Sequence, residues 1–164
     1  MADETHDFDA WYGEHHRALV ASMRVLCHDD AVAEDIAAEA FVRALERWPR
    51  VQEMESPVGW LHRVALNLVR RRARRAALHD RLLARTAPIV TNVDPPAGEA
   101  WLLVSTLPER QRTAVVLRHV ARLTEAEIAE AMGVGRSTVS STLRDAHRSL
   151  RKQITSSDLE LDHA

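Results

Sequence analysis

The sequence has 164 residues, of which 46% are hydrophobic and 28% are charged, and its net charge is −2. This length suits one domain or two small domains, and the apolar runs are too short to span a bilayer, so we expect no membrane insertion. The single cysteine, Cys27, excludes an intramolecular disulfide, and the acidic start of the chain does not resemble a secretion signal. We therefore expect a cytoplasmic protein.

Positive charge is concentrated in two separate blocks. Residues 60–85 contain eight Arg and one Asp, and residues 136–152 contain four Arg and one Lys against one Asp. Residues 1–59, in contrast, carry five Arg and 13 acidic residues. Arginine suits phosphates and base edges because its guanidinium is planar and always charged. The two blocks favour nucleic-acid binding, although a basic block is as often a solvated helix face.

In the first part of the chain, apolar residues recur at helical spacing. The spacing predicts one helix over residues 7–27 and a second over residues 31–48, whose apolar stripe includes Leu45. We expect Pro49 to end the second helix, because proline cannot donate a backbone hydrogen bond. Residues 49–56 are then predicted to form a loop.

The middle of the chain contains a third helix and a break. Ser56-Pro57 is typical of a helix start, and the helix that follows becomes the first arginine block. Residues 86–98 contain three prolines and no helical period, which predicts a mobile linker. Shorter helices are predicted near residues 99–107 and over residues 109–120.

Residues 122–152 predict a helix-turn-helix. Thr124 and Glu127 have the spacing of a capping box, and Gly133 supplies a left-handed helix end. A short helix, a tight turn and a longer helix form the geometry of many DNA-reading domains. An ordinary helical hairpin with a polar face is the alternative. The predicted DNA-binding residues on the second helix are Arg136, Ser137, Ser140, Ser141, Arg144 and Arg148.

Both halves of the sequence resemble the extracytoplasmic-function (ECF) sigma factors. In the C-terminal half the resemblance lies in LPERQR at 107–112, VVLR at 115–118, LTEAEIA at 123–129, GV at 133–134 and TV at 138–139. In the N-terminal half it lies in AEDI at 33–36 with Glu39 and Phe41, and in Ser56-Pro57, Trp60-Leu61, Arg63, Ala65 and Asn67-Leu68. These motifs occur in the family's order over residues 8–152.

The resemblance implies an all-α protein that acts as an alternative sigma factor. Residues 5–85 would form a region-2-like domain for core RNA polymerase and the −10 element. Residues 86–98 would be the linker, and residues 99–153 a region-4-like domain for the −35 element. Such a protein binds core polymerase, directs it to specific promoters and helps to melt the −10 region. Family members are often held inactive by an anti-sigma factor. The resemblance therefore makes an anti-sigma partner plausible, although no residue here identifies one.

The resemblance also assigns roles to individual residues. The residues that would contact core polymerase are Asp35, Glu39, Arg43 and Glu46. The residues that would act at the −10 element are Arg63, Asn67, Arg70, Arg71 and Arg74, with Asn67 matching the asparagine that contacts a flipped base. An amide beside a cationic groove suits the capture of an unstacked base. Trp60 is expected to belong to the core.

The sequence departs from the family pattern at several positions. Ser140, Thr142 and Asp145 occupy positions that are commonly basic, while Arg144 is an added basic residue. These changes leave the −35 preference open. The usual glutamine and threonine of the polymerase-binding helix are replaced by Ala38 and Ala40, and Arg71 replaces a common acidic residue.

Three other interpretations are weighed against the sigma-factor assignment. A stand-alone repressor or activator would bind duplex DNA tightly without polymerase, and a helical interaction protein would show no salt-sensitive nucleic-acid binding. An enzyme is not expected, because the sequence contains no phosphate-binding glycine loop, zinc-type cysteine pair or nucleophile elbow. A metal site built from His15, His16, Cys27 and His28 would lack ligand-pair spacing. We therefore expect no catalytic residue, metal or cofactor.

Overall fold

The structure, a computed structural model, describes the backbone of residues 2–83 and 99–161 and the side chains of residues 7–79 and 102–155. The predicted linker, residues 86–98, lies outside the described residues. Within the described ranges the chain is all-α. Its helices are α1 (Ala2–Cys27), α2 (Asp30–Leu45), α3 (Trp48–Val51), α4 (Pro57–Leu83), α5 (Glu99–Ser105), α6 (Glu109–His119), α7 (Glu125–Met132) and α8 (Arg136–Leu161).

The N-terminal half packs α1, α2 and α4 around one core. Fully buried side chains from all three helices meet there, among them Leu19, Met23, Ile36 and Leu61. An aromatic cluster joins α1 to the end of this core. The ring centroids of Trp11 lie 5.6 Å from Phe41 and 5.0 Å from Trp48, and those of Phe8 and Trp48 lie 5.3 Å apart. Aromatic burial on this scale anchors α1 to its neighbours.

The end of α2 differs from the prediction. The helix ends at Leu45, and Pro49 lies in the first turn of α3 rather than terminating α2. The first turn of a helix tolerates proline because its backbone N–H groups have no intrahelical partner. The predicted loop over residues 49–56 was therefore wrong in its first part, and the non-helical segment is confined to residues 52–56.

Three helix boundaries are confirmed by their hydrogen bonds. Ser56 Oγ accepts a 3.1 Å bond from the Gly59 N–H at the start of α4. Thr124 and Glu127 form the predicted capping box at α7, and Gly133 ends that helix with a φ of 66°. Each contact satisfies backbone groups that the helix itself leaves unpaired.

The C-terminal half is the predicted helix-turn-helix with supporting helices. Val116, Ile128 and Val139 are fully buried and bring α6, α7 and α8 together. α8 continues to Leu161, past the predicted end of the motif at residue 152. The two halves also touch, because α7 packs along α4 and α6 contacts α1. None of the helices that the structure describes combines the length and apolarity required to cross a membrane.

Candidate nucleic-acid interface

The packing of α8 determines which side of the helix faces solvent. Val139, Leu143 and Ala146 are buried against α6 and α7. The side chains on the opposite side include the predicted DNA-binding residues Arg136, Ser137, Ser141, Arg144 and Arg148, all of which are exposed. The geometry therefore presents hydroxyl and guanidinium donors along one accessible face, as groove binding requires.

Not every polar residue of this face is equally available. Ser140 is half-buried, and its Oγ donates a 2.6 Å hydrogen bond to the Glu125 carboxylate of α7. Arg148 pairs with Asp145 at 2.9 Å, which offsets its charge. Among the residues of α8 with described side chains, Arg136, Arg144 and Arg151 form no ion pair. The two departures at Ser140 and Asp145 thus form contacts within the protein, and Arg136 and Arg144 of the predicted DNA-binding residues remain without an ion pair.

The predicted −10 residues lie on the exposed part of α4. Leu61, Ala65 and Leu68 are buried on its inner side. Residues 63, 67, 70 and 74 follow spacings of three and four, which places them on one stripe of the helix. Asn67 is exposed at the centre of that stripe, and its Oδ1 accepts a 3.4 Å bond from Arg70.

The arginine block divides between two clefts. Arg70 and Arg74 line a cleft of about 490 Å³ that also includes Glu109 and Arg112 of α6. Arg71 lines a separate cleft of about 500 Å³ beside α2. Helical spacing places Arg63, Asn67, Arg70 and Arg74 on one stripe, with Arg71 bordering it. Their side chains divide among different clefts, because Arg63 lines the cleft between α4 and α7.

The predicted polymerase-binding residues occupy the outer side of α2. Asp35, Glu39 and Glu46 are exposed, and Arg43 is half-buried. Asp35 pairs with Arg72 of α4 at 3.2 Å, and Glu39 pairs with Arg43 at 2.6 Å.

Two exposed apolar side chains on α2 were not identified from the sequence as part of a binding surface. Val42 and Leu45 are 53% and 51% exposed, although Leu45 was predicted to face the core. That prediction was wrong because α2 ends at Leu45, so the stripe is not continued to Trp48 by the same helix. Exposed apolar groups beside acidic ones are typical of a protein-binding surface.

The two predicted promoter-reading surfaces meet at one cleft. The cleft has a volume of about 820 Å³ and is bounded by Met54, Glu55 and Ser56 on one side and by α7 and the turn before α8 on the other. Across it, Arg63 Nη1 lies 2.7 Å from the Glu130 carboxylate of α7. Glu130 is 67 positions away from Arg63, so no local pattern in the sequence signals this pair.

His62 is a second residue that the sequence did not single out. It is completely buried in α4, with Nδ1 3.0 Å from the Val58 carbonyl oxygen. Its Nε2 is also buried and has no hydrogen-bond partner. Burial lowers the pKa of His62 to about 4, so the ring is neutral and donates through Nδ1. Trp60, two positions earlier, is half-buried and packs on the core as predicted.

The side chains considered for a metal site do not form one. No group of three or more His, Cys, Asp or Glu side chains with metal-binding geometry occurs among the residues that the structure describes. Burial raises the pKa of the Cys27 thiol to about 11, which disfavours the thiolate that binds metals.

Comparison with known protein families finds one match in the N-terminal half of the chain and one in the C-terminal half. The family model described as Sigma-70 region 2 matches residues 11–78, and the model described as Sigma-70, region 4 matches residues 103–152. The chain is 30% identical over 161 residues to the RNA polymerase sigma-E factor of Streptomyces avermitilis, covering 96% of this chain and 90% of that protein. It is 29% identical to the ECF RNA polymerase sigma factor SigW of Bacillus subtilis, over 74% of this chain and 75% of the relative.

Solved structures with the same fold include two chains that are each bound to another protein. RpoE of Bartonella quintana, in complex with the anti-sigma factor NepR, superposes with a TM-score of 0.75 at 16% identity, covering 91% of this chain and 97% of RpoE. CnrH, in complex with the cytosolic domain of CnrY, gives a TM-score of 0.64 at 23% identity, with coverages of 93% and 90%. At these identities the similarity concerns the fold alone.

Proposed function

Since this chain belongs to the ECF sigma factors and is an alternative sigma factor that directs core RNA polymerase to promoters, we propose how its two halves divide that task. Residues 5–85 bind core polymerase and open the −10 element. Residues 99–153 bind the −35 element as duplex DNA. The observation that carries this division is the presence of two differently built basic surfaces, a helix-turn-helix face on α8 and an asparagine-centred arginine stripe on α4.

At the −35 element, α8 lies in the major groove. Arg144 and Arg136 supply positive charge that no ion pair offsets, and Ser137 and Ser141 supply short donors beside them. Ser140 holds α7 to α8 through Glu125, so it orients the recognition helix instead of supplying charge. With Arg148 partly offset by Asp145, we expect few phosphate contacts and a modest salt dependence for this element.

At the −10 element, the exposed amide of Asn67 captures an unstacked base. Arg63, Arg70 and Arg74 lie on the same stripe of α4, and their guanidinium groups hold the phosphates of the unpaired strand. Arg71 lines the cleft beside α2 and borders the same stripe, four residues from Asn67, so it adds to the positive charge there. Single-strand binding of this kind combines a cationic track with base-specific groups.

Core polymerase binds the outer side of α2. Asp35, Glu39 and Glu46 provide negative charge, Arg43 orients Glu39, and Val42 and Leu45 provide apolar area at the centre of the surface. Charged groups around an apolar centre are the usual anatomy of a protein interface. We place the protein in the cytoplasm, where core polymerase acts. Because the structural relative RpoE is held by an anti-sigma factor, we include an anti-sigma protein among the partners.

The proposal is tested by transcription with purified components. Genomic DNA of the source organism is transcribed by core polymerase with and without the chain, and the 5′ ends of the transcripts are sequenced. We expect a defined set of new start sites that share two sequence elements upstream, and co-elution of the chain with core polymerase. A chain that binds duplex DNA tightly alone, and yields no new start sites, would instead be a stand-alone regulator.

A further inference from the structure

Two histidines from different helices face each other in the C-terminal half of the chain. His119 is the last residue of α6, and His147 lies within α8. The two helices pack against each other, and the Nε2 atom of one ring lies 3.3 Å from the Nε2 atom of the other. The residues are 28 positions apart, so no spacing motif in the sequence signals the pair.

The distance between the two nitrogen atoms suits a shared metal ion better than a direct hydrogen bond. N–H···O hydrogen bonds in proteins usually span about 2.7–3.2 Å, so a nitrogen–nitrogen distance of 3.3 Å is long. Zn²⁺ binds histidine nitrogen at about 2.0–2.1 Å in tetrahedral geometry, which places two nitrogen ligands about 3.3–3.4 Å apart. The observed spacing is therefore that of two corners of a zinc tetrahedron.

The orientation and exposure of the rings also suit joint coordination. The ring centroids lie 5.6 Å apart with the ring planes at 63°, so the rings meet at their Nε2 atoms and do not stack. No third His, Cys, Asp or Glu side chain joins the pair among the residues that the structure describes. Both histidines are exposed, so water or a small anion can reach the other two positions around an ion.

The ring of His119 is in the protonation state that metal binding requires. Partial burial lowers the pKa of His119, and the nearby His147 and Arg118 lower it further. The ring is therefore neutral at neutral pH, and histidine must be neutral to bind a metal. The positive charge of Arg118 also opposes a cation here, so we expect weaker binding than at a site that includes a carboxylate.

We propose that His119 and His147 form a Zn²⁺ site that clamps the end of α6 to α8. Imidazole is a preferred ligand of Zn²⁺, whereas Mg²⁺ and Ca²⁺ prefer oxygen ligands. Neither histidine lines the clefts described above, and the site does not depend on the proposed function. Arg144 lies one turn before His147, so a bound ion adds positive charge at the edge of the exposed face of α8.

Zn²⁺ binding is tested on the full-length chain, purified without a histidine tag. Isothermal titration measures the stoichiometry and the Kd, with Mg²⁺ as the control cation. Two-dimensional ¹H–¹⁵N spectra of the histidine side chains identify the ligands, because each ring gives its own Nδ1 and Nε2 signals. His119→Gln and His147→Gln each remove one ring, and His79→Gln, at an exposed position of α4, is the matched control.

We expect one Zn²⁺ per chain at the tightest site and a shift of the Nε2 signals of both His119 and His147. Either single variant should weaken Zn²⁺ binding at least about tenfold, because the second zinc–nitrogen bond is intramolecular only while both rings are present. His79→Gln should bind Zn²⁺ as the unsubstituted chain does. Amide hydrogen exchange in the last turn of α6 should become slower when Zn²⁺ is bound to the unsubstituted chain.

Absence of Zn²⁺ binding would overturn the proposal, and so would a shift of only one of the two rings or an unchanged Kd in both single variants. Unchanged amide exchange on binding would contradict the clamp between α6 and α8. Circular dichroism checks that each variant keeps its helices. Because both histidines are exposed, neither substitution removes a core contact, so each variant gives a result.

Discussion

Arg72 of α4 forms a 3.2 Å ion pair with Asp35 of α2, which links the arginine block to the acidic helix within one domain. Both side chains are about half exposed or more, at 48% and 67%, so the pair adds little to stability. Its consequence concerns binding. A basic partner of Asp35 would compete with Arg72 for the same carboxylate.

The first prediction concerns this acidic surface. Reversing Asp35 and Glu39 to Arg should weaken binding to core polymerase by at least tenfold, because both carboxylates are exposed and a like charge would then face a basic partner. Affinity is measured by fluorescence titration, and helicity by circular dichroism. The control is Asp9→Arg with Glu14→Arg, which makes the same change in net charge on exposed positions of α1. Equal affinity for both double variants would contradict the assigned interface.

The second prediction concerns Asn67. Asn67→Ala should reduce promoter opening while leaving the initial closed complex nearly unchanged, because the amide acts on a flipped base and not on duplex DNA. Opening is followed by permanganate reactivity of unpaired thymines on a promoter recovered from the transcription experiment. His79→Ala, at an exposed position further along α4, serves as the control. Normal opening by Asn67→Ala would remove the most specific residue of the −10 assignment.

The third prediction concerns Arg144. Arg144→Ala should weaken the closed complex by roughly 1–3 kcal/mol and relax the preference at one −35 position if the guanidinium makes a bidentate base contact. If Arg144 contacts phosphate only, the loss should be uniform across sequences, and the salt slope should fall by about one. Titration of promoter variants at two salt concentrations separates these outcomes. Arg151→Ala, an exposed position further along α8, is the control.

The fourth prediction concerns the dependence of stability on pH. The folded-state pKa of His62 is about 4 and its unfolded value about 6.5, so the unfolded chain binds the proton more readily. The neutral ring therefore makes its full contribution to the free energy of unfolding above about pH 6.5. That contribution is lost as the pH falls towards 4, and the free energy of unfolding decreases by roughly 3 kcal/mol in total.

Urea unfolding at several pH values measures this loss. His62→Gln should flatten the free energy of unfolding between pH 6.5 and 4 relative to the unsubstituted chain. A residual slope is expected from His15 and His119, whose pKa values burial also lowers. An unchanged slope in His62→Gln would show that another group titrates on unfolding.

Much of the fold follows from local sequence, because the responsible interactions are local. The capping box of Thr124 and Glu127 and the left-handed end at Gly133 join residues within one turn of chain, so spacing alone predicted them. The exposed face of α8 followed from the same helical period that buries Val139. The all-helical class and the two basic surfaces were predictable for the same reason.

Other features depend on contacts between distant segments, and the sequence by itself did not determine them. Pro49 is compatible with either the end of one helix or the first turn of another, and the burial of Trp48 against Phe8 and Trp11 decides between these. Which cleft each arginine of α4 lines depends on where α2 and α6 lie beside α4. The pairing of Arg63 with Glu130 joins the two halves of the chain. Helical period places a residue on a face, but only tertiary packing determines which partner that face meets.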